Sequence, residues 1–274
     1  MIIGLLGPEG TYSEKAAIKL DTSAQLNYFN DLEEVIESVI IGEVDYGILP
    51  IENSLEGPIG ITMDALLEYN IYIIGEVIIP IRHCLLSKGR IEDINVILSH
   101  PQAIAQCHKF IRANFKDNKV QTTGSTSHAA QAVSSSTDMA AIASRESAQK
   151  YGLNILADDI QDYKANYTRF VVLGKHIPDR TGNDKTSIII HLLHDRPGAL
   201  HDLLGEFVKY DINLTKIESR PSKMGLGDYL FYIDMEGHQR DKNVKKALEG
   251  IKNLVDQVKI IGSYPKNTDK SMMS

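Results

Sequence analysis

Across residues 1–174, short β-branched runs alternate with amphipathic helical patterns, and no other feature limits so strongly what this chain can fold into. Strand-like runs fall at residues 2–6, 46–49, 71–79, 95–98, 139–143 and 170–173. Helix-like periodicity falls at 13–19, 31–41, 61–68, 101–114, 127–133 and 145–151. Such alternation builds βαβ units, so an α/β domain with a mostly parallel sheet is expected. The stretch HIPDRTGNDK, residues 176–185, interrupts the pattern with Pro, Gly and charge and marks a linker. Beyond it the pattern reads strand 186–192, helix 198–210, strands 213–220 and 228–236, helix 241–255 and strand 258–262. The order βαββαβ predicts a second, ferredoxin-like domain. The tail, residues 265–274, is polar and expected to fray.

A chain of 274 residues suits two domains, each with its own core. Its 29 Lys+Arg stand against 36 Asp+Glu, a net charge of −7 with no basic run, which argues against nucleic-acid binding. An anionic ligand would have to be held locally. The opening MIIGLLGPEG lacks a basic n-region, and its apolar run is far shorter than the ~20 residues that span a bilayer. Neither a signal peptide nor a membrane helix is expected, and the protein reads as cytoplasmic. Cys84 and Cys107 have no CxxC or zinc spacing and read as buried free thiols. GxGxxG, GxxxxGK[ST], HExxH and GxSxG are all missing, so neither a cofactor nor a metal is expected.

The informative places are the strand-to-helix junctions. GPEGTYSEKAA, residues 7–17, has two glycines, then Thr11 and Ser13, with Ser13 the N-cap candidate. ENSLEGPIGIT, residues 52–62, follows another strand. SHPQAIAQC, residues 99–107, puts Ser99 or His100 at a cap and Pro101 in the first turn, where its missing N–H costs nothing. GSTSHAAQAV, residues 124–133, offers Thr126 and Ser127 in the same way. Taken singly these are ordinary caps worth about 1 kcal/mol. In open α/β sheets, however, ligands bind beyond the carboxyl ends of the strands, where helix N–H groups gather. Several such starts around one crevice would hold carboxylates without a basic patch.

Six stretches carry a resemblance: GPEGTYS, PIENSLEG, SHPQAIAQC, TSHAA, AAIAS and NYTRF, in this order across residues 7–170. Together they resemble the signature stretches of prephenate dehydratases, which make phenylpyruvate for phenylalanine synthesis. DRPGAL, residues 195–200, and ESRP, residues 218–221, resemble the ACT regulatory domain that follows in that family. The resemblance implies a two-lobed, periplasmic-binding-protein-like catalytic domain over residues 1–175, with a ferredoxin-like ACT domain over 185–264. Lobe one would span about 1–75 and 167–175, and lobe two about 76–166. A hinge between the lobes would exclude water from the crevice. One departure is Ser147 in RESAQKYG, where an alanine pair is expected. Some members carry an N-terminal chorismate mutase, for which a motif starting at Gly7 leaves no place.

By this resemblance Thr168, Asn53 and Gln102 are the catalytic residues. Prephenate loses carbon dioxide and hydroxide as its ring becomes aromatic, so the protein mainly has to pose a dianion and ease departure of the hydroxyl. A threonine hydroxyl is too weak an acid for conventional general-acid catalysis, so Thr168 is read as a positioned donor to oxygen. Asn53 and Gln102 are neutral donors to substrate oxygens. Thr11, Ser13, Ser54, Ser99, Thr126 and Ser127 are further binding candidates, and His100 is a candidate proton carrier. On a regular strand Thr168 and Phe170 share one face and Arg169 the other. A loop over 166–169 is favoured instead, with Arg169 forked onto the pyruvyl carboxylate; the alternative is an ion pair with Glu52.

The ACT resemblance implies feedback by L-phenylalanine. The effector would meet Arg196, Pro197, Gly198, Ala199 and Leu200 at a helix start, and Asn213, Leu214, Glu218 and Ser219 on the next strand. Pairing of ACT domains implies a homodimer or homotetramer. Two other functions fit the same pattern, an arogenate dehydratase and a non-catalytic amino-acid sensor.

Overall fold

The computed structural model describes residues 1–192, 196–223 and 228–267. The chain begins with β1 (Ile2–Leu6), α1 (Tyr12–Leu20), β2 (Gln25–Phe29), α2 (Leu32–Ile41), β3 (Tyr46–Asn53), β4 (Gly57–Pro58), α3 (Gly60–Glu68) and β5 (Tyr72–Pro80). Next come β6 (Cys84–Ser87), β7 (Val96–Ser99), α4 (Pro101–Gln106), α5 (His108–Asn114), β8 (Lys119–Thr122), α6 (Thr126–Val133), β9 (Met139–Ala143), α7 (Arg145–Tyr151), β10 (Asn154–Ala157) and β11 (Tyr167–Gly174). The last elements are β12 (Asp184–Leu192), α8 (Ala199–Lys209), β13 (Leu214–Pro221), β14 (Tyr229–Glu236), α9 (Lys242–Ile251) and β15 (Val255–Pro265). They form two compact units. One comprises Met1–Val35, Ile48–Ile59 and Ile78–Phe170, the other Ile36–Gly47, Gly60–Val77 and Val171–Ser274.

In the first unit β1 and β2 pair in parallel around the α1 crossover, with Ile3 opposite Leu26. A separate five-stranded sheet runs β10-β6-β9-β7-β8. Strand β7 is parallel to β8 and β9, whereas β6 is antiparallel to β9 and β10, so this sheet is mixed rather than mostly parallel. Alternation explains why its inner strands are apolar on both faces. Cys84, Leu86, Ala141 and Ala143 pack with Ala129, Ala130 and Val133 of α6 on one side. Leu85, Ala140 and Ile142 pack with Ala103, Cys107 and Ile111 on the other. Cys84 and Cys107 are buried free thiols, each pushed up to about 12 by burial.

The helix read over 101–114 is two helices. The Gln106 carbonyl accepts from the Asp162 N–H at 2.7 Å, and the Asp162 carboxylate accepts from the Lys109 N–H at 3.1 Å. Asp162 therefore ends α4 and caps α5, and Cys107 between them leaves helical geometry at φ −115°. Strands β2, β6, β8 and β10 are short and escape the sequence pattern. Strand β8 is exposed throughout and lies at the sheet edge, so nothing apolar marks it.

In the second unit β12, β13, β14 and β15 form the antiparallel order β13-β14-β12-β15, the ferredoxin-like arrangement. Helices α8 and α9 cover one face, where Phe207, Leu203, Val244 and Ile251 pack on Ile188, Ile190, Ile233 and Met235. Polar groups inside the unit join the other face to α3. Tyr232 donates its hydroxyl to the Met63 carbonyl at 3.1 Å, and Lys259 caps the end of α3 through the Leu67 and Tyr69 carbonyls at 2.8 and 2.7 Å. Burial lowers the Lys259 pKa. Gly262 pairs with Ile73, and a Cβ there would sit 2.4 Å from the Ile73 carbonyl oxygen, so only glycine fits this pairing.

The tail is ordered further than expected. Pro265 ends β15, Lys266 donates its N–H to Asn183, and Asn267 donates its N–H to Glu76. Residues 268–274 and Asp195 of DRPGAL lie outside the described residues.

His191 on β12 bonds Asp228 at 2.6 Å and Asp256 at 3.3 Å, and these carboxylates raise its pKa. A raised folded-state pKa stabilises the fold fully below the unfolded value near ~6.5, and this contribution is lost as pH rises through the folded value. The difference in Tm between wild type and His191→Gln is therefore expected to be largest near pH 6 and to shrink as pH rises. A thermal-unfolding series would check this, and a difference that grew with pH would contradict it.

Candidate active site

One cavity of about 440 Å³ in the first unit gathers most of the residues singled out from the sequence. Thr168, Asn53 and Gln102 all line it. So do Phe170, Thr11 and Ser13, and His100 and Thr126. The starts of α1, α4 and α6 open on its wall, beyond the carboxyl ends of β1, β7 and β8.

The caps differ in detail from expectation. Thr11, not Ser13, caps α1, its hydroxyl accepting from the Glu14 N–H at 3.4 Å; Ser13 lies within the helix, buried. Ser125, ahead of Thr126 and Ser127, caps α6 by accepting from the His128 N–H at 3.0 Å. His100 caps α4, with Nδ1 accepting from the Gln102 N–H at 3.3 Å.

Five candidates point elsewhere. Strand β11 begins at Tyr167, so the loop favoured for 166–169 is replaced by regular strand. Alternation then puts Thr168 and Phe170 on the cavity face, while Arg169 points away with Nη1 3.6 Å from Glu52. The ion-pair alternative describes Arg169 and Glu52. Ser54 ties two segments together, accepting from the Tyr167 N–H at 2.9 Å and donating to the Ala165 carbonyl at 3.3 Å. Ser99 is fully buried and donates to the Ile142 carbonyl. Ser127 donates to the Glu9 carbonyl and the unexpected Ser147 to the Gly10 carbonyl, so these two serines brace the loop leading into α1.

The sequence reading missed a buried chain of side-chain amides behind Thr168. Asn53 Oδ1 accepts from the N–H groups of Leu55 and Glu56 at 3.0 and 3.2 Å, which fixes its amide orientation. Its Nδ2 then faces Asn166 Oδ1 at 2.9 Å and Thr168 Oγ1 at 3.0 Å, with the Tyr167 carbonyl at 3.2 Å. Asn166 Nδ2 donates to Gln106 Oε1 at 2.9 Å, and Gln106 Nε2 donates to Glu56 at 2.9 Å. His83 Nε2 meets the same Gln106 Oε1 at 3.0 Å. Burial lowers the pKa of His83 and raises that of Tyr12, whose ring stands edge-on to the imidazole at 6.3 Å. Asn166, Gln106 and Glu56 fall within NYTRF, SHPQAIAQC and ENSLEG, so the motifs contained the signal although the individual residues were passed over.

The cavity wall among the described residues holds hydroxyls, amides, two imidazoles and one carboxylate, and no lysine or arginine. Such a wall can orient an anion through neutral donors. Because Asn53 can only donate to Thr168, the Thr168 oxygen accepts inside the protein and its hydrogen is left for whatever fills the cavity.

A family model for prephenate dehydratase matches residues 3–178. The chain belongs to the prephenate dehydratase family. A model of the ACT domain matches residues 186–253, within the ferredoxin-like β12–β15 assembly. The prephenate dehydratase of Methanocaldococcus jannaschii is 40% identical over 267 residues, covering 94% of this chain and 96% of the relative. The bifunctional chorismate mutase/prephenate dehydratase of Aquifex aeolicus is 40% identical over 266 residues, covering 96% of this chain and 73% of the relative. Among solved structures, the prephenate dehydratase of Arthrobacter aurescens, in complex with L-Phe, has a TM-score of 0.90 at 34% identity, covering 98% of this chain and 91% of that one. As a prephenate dehydratase the chain is a carbon–oxygen lyase of phenylalanine biosynthesis, converting prephenate to phenylpyruvate. Among the described residues no helix is long and apolar enough to cross a membrane.

Proposed function

We propose that Thr168 eases departure of the prephenate ring hydroxyl by donating a hydrogen bond to the leaving oxygen. The observation that carries this reading is the 3.0 Å bond from Asn53 Nδ2 to Thr168 Oγ1, with the Asn53 orientation fixed by two backbone N–H groups. Asn53 acts through Thr168, since its amide hydrogens are already engaged. Gln102, which lines the cavity, is the amide that meets the substrate. Thr11, Ser13, Thr126 and His100, with the helix N–H groups beside them, receive the substrate's carboxylates, and Phe170 walls the ring. The carboxylate that leaves as carbon dioxide meets no cation, which suits the chemistry. A charge clamp would stabilise it most before its electrons move into the ring, and so would slow the step. Closure of residues 76–166 over the site would exclude water.

The ACT domain serves as a phenylalanine sensor. Gly198 starts α8 at φ +85° with no side-chain cap, leaving helix N–H groups for a carboxylate beside Arg196, Pro197, Ala199 and Leu200. Leu200 and Leu214 pack on the domain core and shape the site, while Asn213 and Ser219 are exposed and Glu218 half-buried. The complex of the Arthrobacter relative with L-Phe supports the choice of effector. Strand β13 lies at the edge of its sheet, where a second copy can pair to make a homodimer or homotetramer. Arg220 of ESRP pairs with Asp64 of α3 at 3.2 Å, and α3 directly follows Ile59 of the cavity wall in the chain. The match to a biosynthetic family supports a cytoplasmic enzyme.

Purified protein is expected to convert prephenate faster than arogenate, to lose or gain activity by about 5–150-fold on saturation with phenylalanine, and to run as a dimer or larger. Steady-state assays on both substrates with and without phenylalanine, alongside mass measurement in solution, check this. Faster turnover of arogenate would make the enzyme an arogenate dehydratase, and phenylalanine binding without turnover of either would make it a sensor.

A further inference from the structure

The amide chain behind Thr168 does not stop at Asn53. Both of its ends are fixed in polarity, by backbone N–H groups on Asn53 Oδ1 and by the Glu56 carboxylate on Gln106 Nε2. Gln106 must therefore present Oε1 to its remaining neighbours, and accept from both Asn166 and His83. His83 then carries its hydrogen on Nε2. Its Nδ1 is buried and makes no hydrogen bond, which suits an unprotonated acceptor better than a stranded N–H. Burial lowers the imidazole pKa and so favours the neutral ring.

His83 is only 2% exposed and is itself held from two directions. Its backbone N–H donates to Gln161 Oε1 at 2.9 Å, and its ring stands against Tyr12, whose hydroxyl bonds the Arg82 backbone. The order of donation runs from His83 to Gln106, which also receives Asn166, and Asn166 receives Asn53, which turns its second hydrogen on Thr168. All five side chains are buried, so each bond restricts the next.

We propose that His83 is a positioning residue for the dehydration: its Nε2–H anchors the amide chain that holds the Thr168 hydroxyl with its hydrogen aimed into the cavity. This rests on the reading of Thr168 as the donor. Without the anchor the Gln106 amide keeps only its bonds to Glu56 and Asn166, so Asn166 and, through it, Asn53 Nδ2 are held less firmly. The substrate still binds, but the donor is aimed less often.

The test compares His83→Gln with His83→Asn. Glutamine can place an amide nitrogen where imidazole Nε2 lies; asparagine is one methylene too short. His83→Gln is expected to keep kcat within about threefold of wild type, whereas His83→Asn loses about tenfold or more with KM within about twofold, short of the 10² to 10³ for outright removal of a donor. In a Thr168→Ala background His83→Asn should have no further effect on kcat, because the group it positions is gone. A merely structural role would lower the melting temperature of both variants alike and would not single out kcat. Equal losses in the two variants, wild-type kcat in His83→Asn, or a full further loss on top of Thr168→Ala would each overturn the inference. Those outcomes leave Thr168 itself standing, since only an active Thr168→Ala enzyme removes it. Should His83→Asn fail to fold, Gln106→Met, which deletes the shared acceptor at similar volume, is read in the same way.

Discussion

Replacing Thr168 with alanine is expected to lower kcat by roughly 10² to 10³, or ~3–4 kcal/mol of transition-state stabilisation, with a much smaller change in KM. Aromatisation supplies most of the driving force, so the enzyme needs one well-aimed hydrogen bond to the oxygen that leaves. The cavity provides one in Thr168. Its oxygen accepts from Asn53 at 3.0 Å, so the hydroxyl hydrogen has only the cavity to face. The alanine variant should still fold, because Asn53 Nδ2 keeps Asn166 Oδ1 and the Tyr167 carbonyl as acceptors and no buried donor is stranded. Thr168→Ser, which retains the hydroxyl, should recover most of the rate. Steady-state kinetics with thermal unfolding of both variants measures this, and an alanine variant turning over at the wild-type rate removes Thr168 from the mechanism.

The second large effect lies in the other unit. Lys185 at the start of β12 places Nζ 3.0 and 2.9 Å from the two carboxylate oxygens of Glu76 on β5, with side-chain exposures of 13% and 2%. The Asn267 N–H adds a bond to the same carboxylate at 3.2 Å. Lys185→Met removes the counter-charge and leaves a carboxylate in a dry site, at an expected loss of about 3–5 kcal/mol. The double variant Glu76→Leu/Lys185→Met should recover most of that loss, because removing both charges also removes the desolvation cost. Urea unfolding of the single and double variants decides the point. A single variant within about 1 kcal/mol of wild type would mean that water reaches the carboxylate and the pair contributes as little as a surface pair.

These two sites differ in how far the sequence exposes them. Thr168 sits in NYTRF, a run short enough to be recognised whole, and strand alternation separates it from Arg169 by rule. The preference for a loop there fails because the β11 pairing extends to Tyr167, and pairing is a long-range property that no local window contains. Glu76 reads as one acid in an apolar run. Nothing nearby says that its partner is Lys185, 109 residues away.

The same distinction separates the caps from the amide chain. A serine or threonine before a helix is visible locally, and the residual error of one or two positions, Thr11 for Ser13 and Ser125 for Thr126, reflects competition among adjacent hydroxyls for the same free N–H groups. Asn53, Gln106 and Asn166 each resemble an ordinary polar residue near a helix or strand end. Only when β3, α4 and β11 meet do their amides line up in one direction. The break between α4 and α5 has the same origin, because it depends on Asp162, which is far from Cys107 in the chain and beside it in space.

The amino-acid sequence by itself determined the alternation of strands and helices, the βαββαβ order, the family, and Thr168, Asn53 and Gln102 as residues that line one cavity. Each rests on periodicity or on contiguous motifs, which short-range sterics and capping dictate. The tertiary structure alone decided which way Arg169 points, which acid answers Lys185, and in which direction the hydrogen bonds from His83 to Thr168 run. Those depend on groups brought together across long loops, where the energy of a buried polar contact exists only once the chain has closed around it.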